Sequence, residues 1–593
     1  MKSIRLLLKL IKTFHDRRKS QLILILIALV FSAFLDVISI GSIIPFIGIL
    51  VDAQATYFNP AFNKYFVFFN FKSPDELVLP LTGLFISLVW ISTSFRMLIF
   101  WASNRISISC GNDLSCEIYS KIIHRPFSEY LRSSSDEVVN SIVNNVNTTI
   151  FNGLYTFLLF TSSIILTTAI FFILIYLNPI VFFVAMAVIF LFYVPVVLFV
   201  QKKLYKNSIV TNSSQKQVIN IIQETLSGIR EVILKNLFKS FLANFRQADY
   251  KLRRTIGSNK FIGESPKFVI EALALSLMAV FAFIVITSHS GVEQGLATLG
   301  VIALGAQKII PNLQQIYRGF SSINGSHASM EDILNIIHNQ NEMSCENNTI
   351  VPHSIDKKFS KIVFHNVSYQ YSLEASYILK DINLEIISGE TIGILGGTGS
   401  GKSTLIDLFL GLLEPTDGFI ELDGANLKDM ISYWHKKISH VPQSIFIAND
   451  SLIKNIAFGV PEAQIDIKRV KNSTHITQLD PLIKSKENGL LEKVGESGAN
   501  LSGGQIQRVG LARAFYGNPE ILILDEATSA LDQNTEKKVM DSIYYEFSEK
   551  TLLIISHNID ILKKCTKIFE IKDQSVFIYP SLDEYKKSKK IDI

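Results

Sequence analysis

The sequence predicts two structural classes in one chain: an α-helical membrane domain with six spans, then an α/β domain built around a glycine-rich phosphate loop. Three observations carry this. Long apolar runs crowd the N-terminal half, and only 18% of the 593 residues are charged, against about 25% in soluble proteins. Lys and Arg collect in the segments on one side of those runs. Further on, an apolar strand runs into Gly396-Gly397-Thr398-Gly399-Ser400-Gly401-Lys402-Ser403-Thr404 and out into a helix-patterned stretch.

A bilayer core of about 30 Å needs roughly 20 apolar residues of helix. Six stretches meet or approach this: Leu22–Val51, Leu77–Ala102, Leu154–Leu177, Ile180–Val200, Phe268–Ser288 and Leu296–Ile310. The last is short and should continue beyond Pro311. A soluble core has no use for six such runs, which excludes a soluble protein. The segment Gln201–Lys267 is dense in Lys and Arg, as is the N-terminus from Lys2 to Lys19. By contrast, Asp52–Glu76 holds only Lys64 and Lys72, Asn178–Pro179 is a bare turn, and His289–Gly295 has neither residue type. The N-terminus, the two long loops and the C-terminal domain are therefore expected in the cytoplasm.

Both long loops are helix-patterned, as in Ile219–Phe245, and read as extensions of the membrane helices. Residues 1–20 read as an interfacial helix, with Ile4, Leu7, Leu8, Ile11 and Phe14 on one face between basic residues. A disordered basic leader is the alternative. Residues 21–338 form the expected membrane domain, 339–358 a polar linker, and 359–593 the nucleotide domain. The net charge of +5 gives no argument for nucleic acid as a partner. Cys110, Cys116, Cys345 and Cys565 lie far apart without metal-ligand spacing and read as reduced thiols. No small-residue cleavage site precedes the first apolar run, so a cleaved signal peptide is not expected.

The glycines of the loop let consecutive backbone N–H groups turn toward one anion, and the following helix adds its partial positive charge. Lys402 should reach the β- and γ-phosphates, and Ser403 should ligate Mg²⁺. A second apolar strand, Ile521–Leu524, ends in Asp525-Glu526. Asp525 is placed to hold Mg²⁺ through water, and Glu526 to orient or deprotonate the attacking water.

Between these motifs stands Leu501-Ser502-Gly503-Gly504-Gln505. With the two phosphate motifs in this order, the region of about Phe364–Ile571 closely resembles the ABC ATPases. The resemblance implies roles for further residues. Tyr371 would stack on adenine, while Gln443 would sense Mg²⁺ and the membrane domain. Asp532 would belong to the loop after the catalytic strand, and His557 would contact the γ-phosphate. Ser502, Gly504 and Gln505 would bind the ATP held by the loop of a second copy, with ATP and Mg²⁺ as cofactors. The family usually has Ala-His-Arg around the histidine, where this chain has Ser556-His557-Asn558.

Membrane domain first and ATPase second resembles the type I ABC exporters, so a homodimer is implied, with a heterodimer as the alternative. In that family short cytoplasmic helices couple the two domains, and Pro126–Tyr130 and Leu237–Phe241 are the candidates here. The expected location is a bacterial inner membrane, crossed several times.

Charged residues within spans are costly and usually face a cavity. Arg96, Lys267 and Lys308 are the candidate substrate residues, drawing in an anionic head group such as a diphosphate. Snorkelling of the two lysines, or pairing of Asp36 or Glu271 with a base, is the alternative. The stretch Phe34–Phe46, the aromatic-rich external segment Tyr57–Phe71, Ser265-Pro266-Lys267 and the base before Pro311 resemble bacterial lipid-linked oligosaccharide flippases. That implies an anionic polyprenyl-diphosphate glycan as substrate and membrane lipid as a partner. A peptide, drug or lipid A-type exporter, and an ATP-gated channel or regulator, are the competing readings.

Overall fold

The computed structural model describes residues 2–51, 54, 57–58, 73–131, 138–177, 179–287, 292–338, 359–372 and 374–589. The polar segment 339–358 and most of the external aromatic segment 57–71 lie outside the described residues. The chain forms two compact units, Met1–Arg125 with Ser133–Ser344, and Pro126–Arg132 with Cys345–Ile593.

The first unit is all helix. Asp16–Gly41 continues after a break at Ser42 into Ile43–Val51, and Val78–Ile123 runs unbroken for 46 residues. Asp16–Leu50, Val78–Ile123 and Asn140–Phe172 are long and apolar enough to cross a membrane. The other three expected spans fall on the helices Pro179–Ser227, Pro266–Thr287 and Val292–Gly325. The sixth does continue past Pro311, which sits inside its helix. The long basic loops are the predicted helical extensions: Val78–Ile123 and Pro179–Ser227 run far beyond their apolar parts, and Phe238–Glu264 leads back.

The N-terminal stretch departs from expectation. The helix ends at Thr13, and protein covers Leu7, Leu10 and Phe14 of the apolar residues, while Leu8 stays exposed. Leu7 and Leu10 are fully buried in a cluster with Met330, Ile333, Leu334 and Ile337 of the helix His327–His338. That helix offers a matching apolar stripe, and two such faces bury each other whatever surrounds them. The Ser3 hydroxyl donates to Asn324 Oδ1 at 2.9 Å and lies 3.0 Å from His327 Nδ1, which fixes the register.

Beside it, Asp332 accepts hydrogen bonds from Asn212 at 2.9 Å and Asn145 at 3.3 Å, with Lys216 at 3.4 Å. The π-helical stretch Asn140–Asn145 supplies Asn145 to this seam, and a second, Thr148–Tyr155, follows it. Such wide turns often mark functional positions within helices.

The second unit holds two sheets. Strands β1 (Lys361–Tyr369), β2 (Leu379–Ile387), β4 (Asp417–Leu422) and β5 (Ala425–Asn426) form an antiparallel sheet in the order β2-β1-β4-β5. Strands β3 (Thr391–Gly396), β6 (Ile438–Val441), β7 (Ile521–Asp525), β8 (Thr551–Ile555), β9 (Lys567–Lys572) and β10 (Ser575–Tyr579) form the other, ordered β10-β9-β3-β8-β7-β6. Its central strands β9, β3, β8, β7 and β6 are parallel. Parallel strands covered on both faces read as unbroken apolar runs, as in Ile521-Leu522-Ile523-Leu524, all buried. The short helix Phe127–Tyr130 groups with this unit, and Phe127 packs on its core cluster with Phe364, Phe409 and Trp434.

Candidate nucleotide-phosphate site

The parallel register brings the ends of β3 and β7 to one edge of the sheet, separated by β8. Open parallel sheets bind ligands beyond the carboxyl ends of their strands. From β3 the chain turns through Gly397–Gly401 into the helix Lys402–Phe409. Gly401, the cap of that helix, has φ +103°, and a Cβ there would stand 3.1 Å from Ile378. Only glycine lets the loop curl this tightly. Lys402 Nζ donates to the carbonyl oxygens of Gly396 at 2.7 Å and Gly397 at 3.0 Å, so the ammonium lies along the rim of the loop.

The loop residues fit a polyphosphate. The Ser400 hydroxyl is buried with no hydrogen-bond partner among the described residues. A Cβ on Gly397 or Gly399 would meet nothing within 4 Å, so the space above the loop is open. The first-turn amides of the helix are available to an anion. Ser403 is exposed, and Asp525 lies at the end of β7. Hydroxyl and carboxylate oxygens are the hard donors that Mg²⁺ takes, its remaining positions going to phosphate and water. Burial, with the nearby Glu526 charge adding to it, raises the Asp525 carboxyl above its ordinary range, and Lys402 opposes the rise. Asp407, on the loop helix, is pushed up to about 6 by burial and by Asp525. A divalent cation here would relieve both effects.

Glu526 is held from two sides. Gln443 Nε2 donates to its Oε2 at 2.7 Å, and His557 Nε2 lies 3.0 Å from its Oε1. Its backbone is left-handed, φ +49°, a conformation costly for a residue with a Cβ and often found at active sites. The carboxylate is mostly buried and locked in orientation, as a group that must aim at one water requires.

Other expected residues have local duties. Tyr371 shares a hydrogen bond of 3.2 Å with Thr404 and stands edge-on to Tyr369, leaving its ring 40% exposed. Ser502 caps the helix Gly503–Tyr516: its hydroxyl accepts from Gln505 N–H at 3.3 Å, and the Gln505 side chain accepts from Ser502 N–H at 2.9 Å. This reciprocal box pre-forms the turn. Asp532 caps Gln533–Glu546 through Thr535 N–H, and these hydrogen bonds hold its carboxyl below the ordinary range. Lys402, Asp525, Glu526, Gln443 and His557 thus converge. Ser502, Gly504 and Gln505 lie at the start of another helix, where Gly504 packs against Ala530 and Leu531.

Of the membrane candidates, Arg96 and Lys267 each have a carboxylate partner. Arg96 lines a cavity of about 170 Å³ with Ser32, Ser103, Ser163, Asn312 and Gln315. It is not a free cation, however. Its guanidinium pairs with Asp36, whose side chain is 2% exposed, so the anion-attracting charge is already met. Lys267 stands 3.8 Å from Glu271, one helical turn on, and Glu271 also accepts from Gln314. Lys308 is on the helix Val292–Gly325, but its side chain is outside the described ones. Sequence reasoning named Asp36 only as an alternative partner. It missed Asp407 and Gln507, whose only signal was a polar residue on the buried side of a helix.

Residues 20–305 match the ABC transporter transmembrane region, and residues 379–529 match the ABC transporter family of nucleotide-binding domains. The chain is 35% identical over 216 residues to the ATP-dependent lipid A-core flippase of Ralstonia nicotianae, a match covering 36% of each chain. It therefore spans about a third of that relative. It is 25% identical to the heterocyst differentiation ATP-binding protein HepA of a Nostoc species, over 81% of this chain and 77% of HepA. A solved bacterial Atm1-family ABC exporter with ATP bound shares the fold, with TM-score 0.76 at 19% identity, covering 97% of this chain and 96% of that one.

Proposed function

Because the chain belongs to the ABC transporter family, joining its membrane region to its ATPase domain in one polypeptide, we propose that it is an ATP-driven exporter working as a homodimer. The observation that carries this is Glu526, fixed between Gln443 and His557 at the strand end beside the phosphate loop and Asp525. Lys402 and the loop amides bind the β- and γ-phosphates of ATP, and Tyr371 stacks on the adenine. Ser403, Asp525 and Gln443 would hold Mg²⁺, which when bound would neutralise phosphate charge. Glu526 accepts a proton from the attacking water while His557 orients it and contacts the γ-phosphate. The capped turn at Ser502 completes the site of the second copy. Among the described residues, no hydrogen bond joins that turn to the loop 396–404 of its own chain. ATP closes the dimer and hydrolysis reopens it, and the exposed tip around Leu234 and Phe238 transmits the motion.

The cargo is an anionic glycolipid, a polyprenyl-diphosphate-linked oligosaccharide, turned from the cytoplasmic to the outer leaflet of a bacterial inner membrane. The partly polar cavity at Arg96 supports an amphiphile, and the flippase named among the relatives supports a lipid. That relative favours a second reading, lipid A-core. The test is ATP-dependent flipping in proteoliposomes of a labelled polyprenyl-diphosphate glycan and, separately, of lipid A-core. Glu526→Gln serves as the inactive control. Flipping of the glycan alone supports the first cargo and flipping of lipid A-core alone the second. ATP hydrolysis with neither moved overturns both.

A further inference from the structure

We propose that Gln507 is a positioning residue for the hydrolytic step, coupling the helix Gly503–Tyr516 to the backbone that carries Glu526. The inference rests on the reading that Glu526 serves ATP hydrolysis. Gln507 is 6% exposed, and both ends of its amide are used. Its Oε1 accepts from Ala530 N–H at 2.8 Å. Its Nε2 donates to Ser529 Oγ at 3.1 Å and reaches the Glu526 carbonyl oxygen at 3.5 Å. One side chain therefore spans the turn 526–530, whose own bonds are Ser529 N–H to Glu526 O and Leu531 N–H to Thr528 O.

The turn has need of a brace. Glu526 sits at φ +49°, so its main chain relaxes toward an ordinary conformation unless its neighbours prevent it. Relaxation would swing the carboxylate away from Gln443 and His557. On the other end, Gln507 lies one turn beyond Ser502-Gly503-Gly504, and Gly504 has Ala530 O within 2.9 Å of where a Cβ would stand. Two contacts on one helix face thus bear on the same backbone. A tilt of this helix, when a partner's nucleotide engages Ser502, moves Ala530 and, through it, Glu526. Both ends of the Gln507 amide are spent on this turn, so it acts through the turn.

The test uses the chain in lipid nanodiscs with Gln507→Leu, which keeps the volume and removes all three polar contacts, and Gln507→Glu, which keeps the acceptor for Ala530 N–H. Mg-ATP turnover, KM, binding of a non-hydrolysable ATP analogue and the thermal midpoint are measured together. The expected result for Gln507→Leu is a fall in kcat of about tenfold or more, as for loss of a buried hydrogen-bonded amide, with KM and analogue binding within about twofold. Gln507→Glu recovers part of the rate. Adding Ser529→Ala to Gln507→Leu lowers kcat no further, because the two share one interaction. Unchanged kcat in Gln507→Leu, or a fall matched by equal loss of analogue binding or of folded protein, overturns the proposal. Absence of ATP turnover in the unaltered chain sinks the hydrolytic reading itself, and so is told apart from failure of Gln507.

Discussion

Replacing Arg96 by Ala separates a cargo role from a structural one. The Asp36 side chain is 2% exposed, and Arg96, itself 47% exposed, is a cation beside it. Removing one partner of a fully buried ion pair costs about 3–5 kcal/mol, because the remaining charge loses part of its compensation in a poor solvent. The guanidinium is half-exposed and lines a partly polar cavity with Ser32 and Asn312, so the pair is less than fully desolvated and about 2 kcal/mol is the appropriate figure. Ser92 also donates to the carboxylate, at 3.4 Å, but a neutral hydroxyl does not replace a cation's charge. The thermal midpoint in nanodiscs should fall by several degrees in Arg96→Ala and recover in the double variant with Asp36→Asn, which removes the stranded charge. An unchanged midpoint in Arg96→Ala, or a double variant no better than the single, refutes the reasoning. Flipping by the double variant then reports on cargo: recovery marks Arg96 as structural, and continued loss at restored stability marks contact with the substrate.

Glu526→Gln should lower ATP turnover by about two to three orders of magnitude while nucleotide binding persists, since only the proton acceptor is lost; comparing steady-state ATPase rates with analogue binding checks this. Gly504→Ala should cost about 1–3 kcal/mol of domain stability, because its Cβ would press on the Ala530 backbone at 2.9 Å, and should depress turnover with it. Thermal unfolding beside ATPase rate decides it. Burial lowers the basicity of His327, with Glu331 opposing this and Lys2 adding to it. The unfolded chain therefore takes up a proton near pH 6.5 that the folded chain refuses, so stability is lost as the pH falls through that value. The drop in thermal midpoint between pH 7.5 and 5.5 should shrink in His327→Gln.

Periodicity was enough to find the apolar helices, their helical extensions and the passage of the last helix through Pro311. These depend on short-range hydrophobic spacing, which the chain displays openly. The phosphate loop was legible for a similar reason: consecutive glycines, Lys402 and Ser403 form a local device that acts within ten residues. Tertiary structure decided everything that depends on distant partners. An amphipathic pattern at Lys2–Thr13 shows that a face must be buried, but not whether lipid or the stripe of His327–His338 covers it. An arginine in a span shows a charge that needs an answer, but only folding sets Asp36, sixty positions away in sequence, against it. Gln507 looks like any helical glutamine until Ser529 and Ala530 arrive beside it. Sequence by itself determined the elements and the phosphate chemistry, because these are written in adjacent residues. Which charges are met, which faces are covered and how Glu526 is held belong to the fold, because they depend on where separate elements meet.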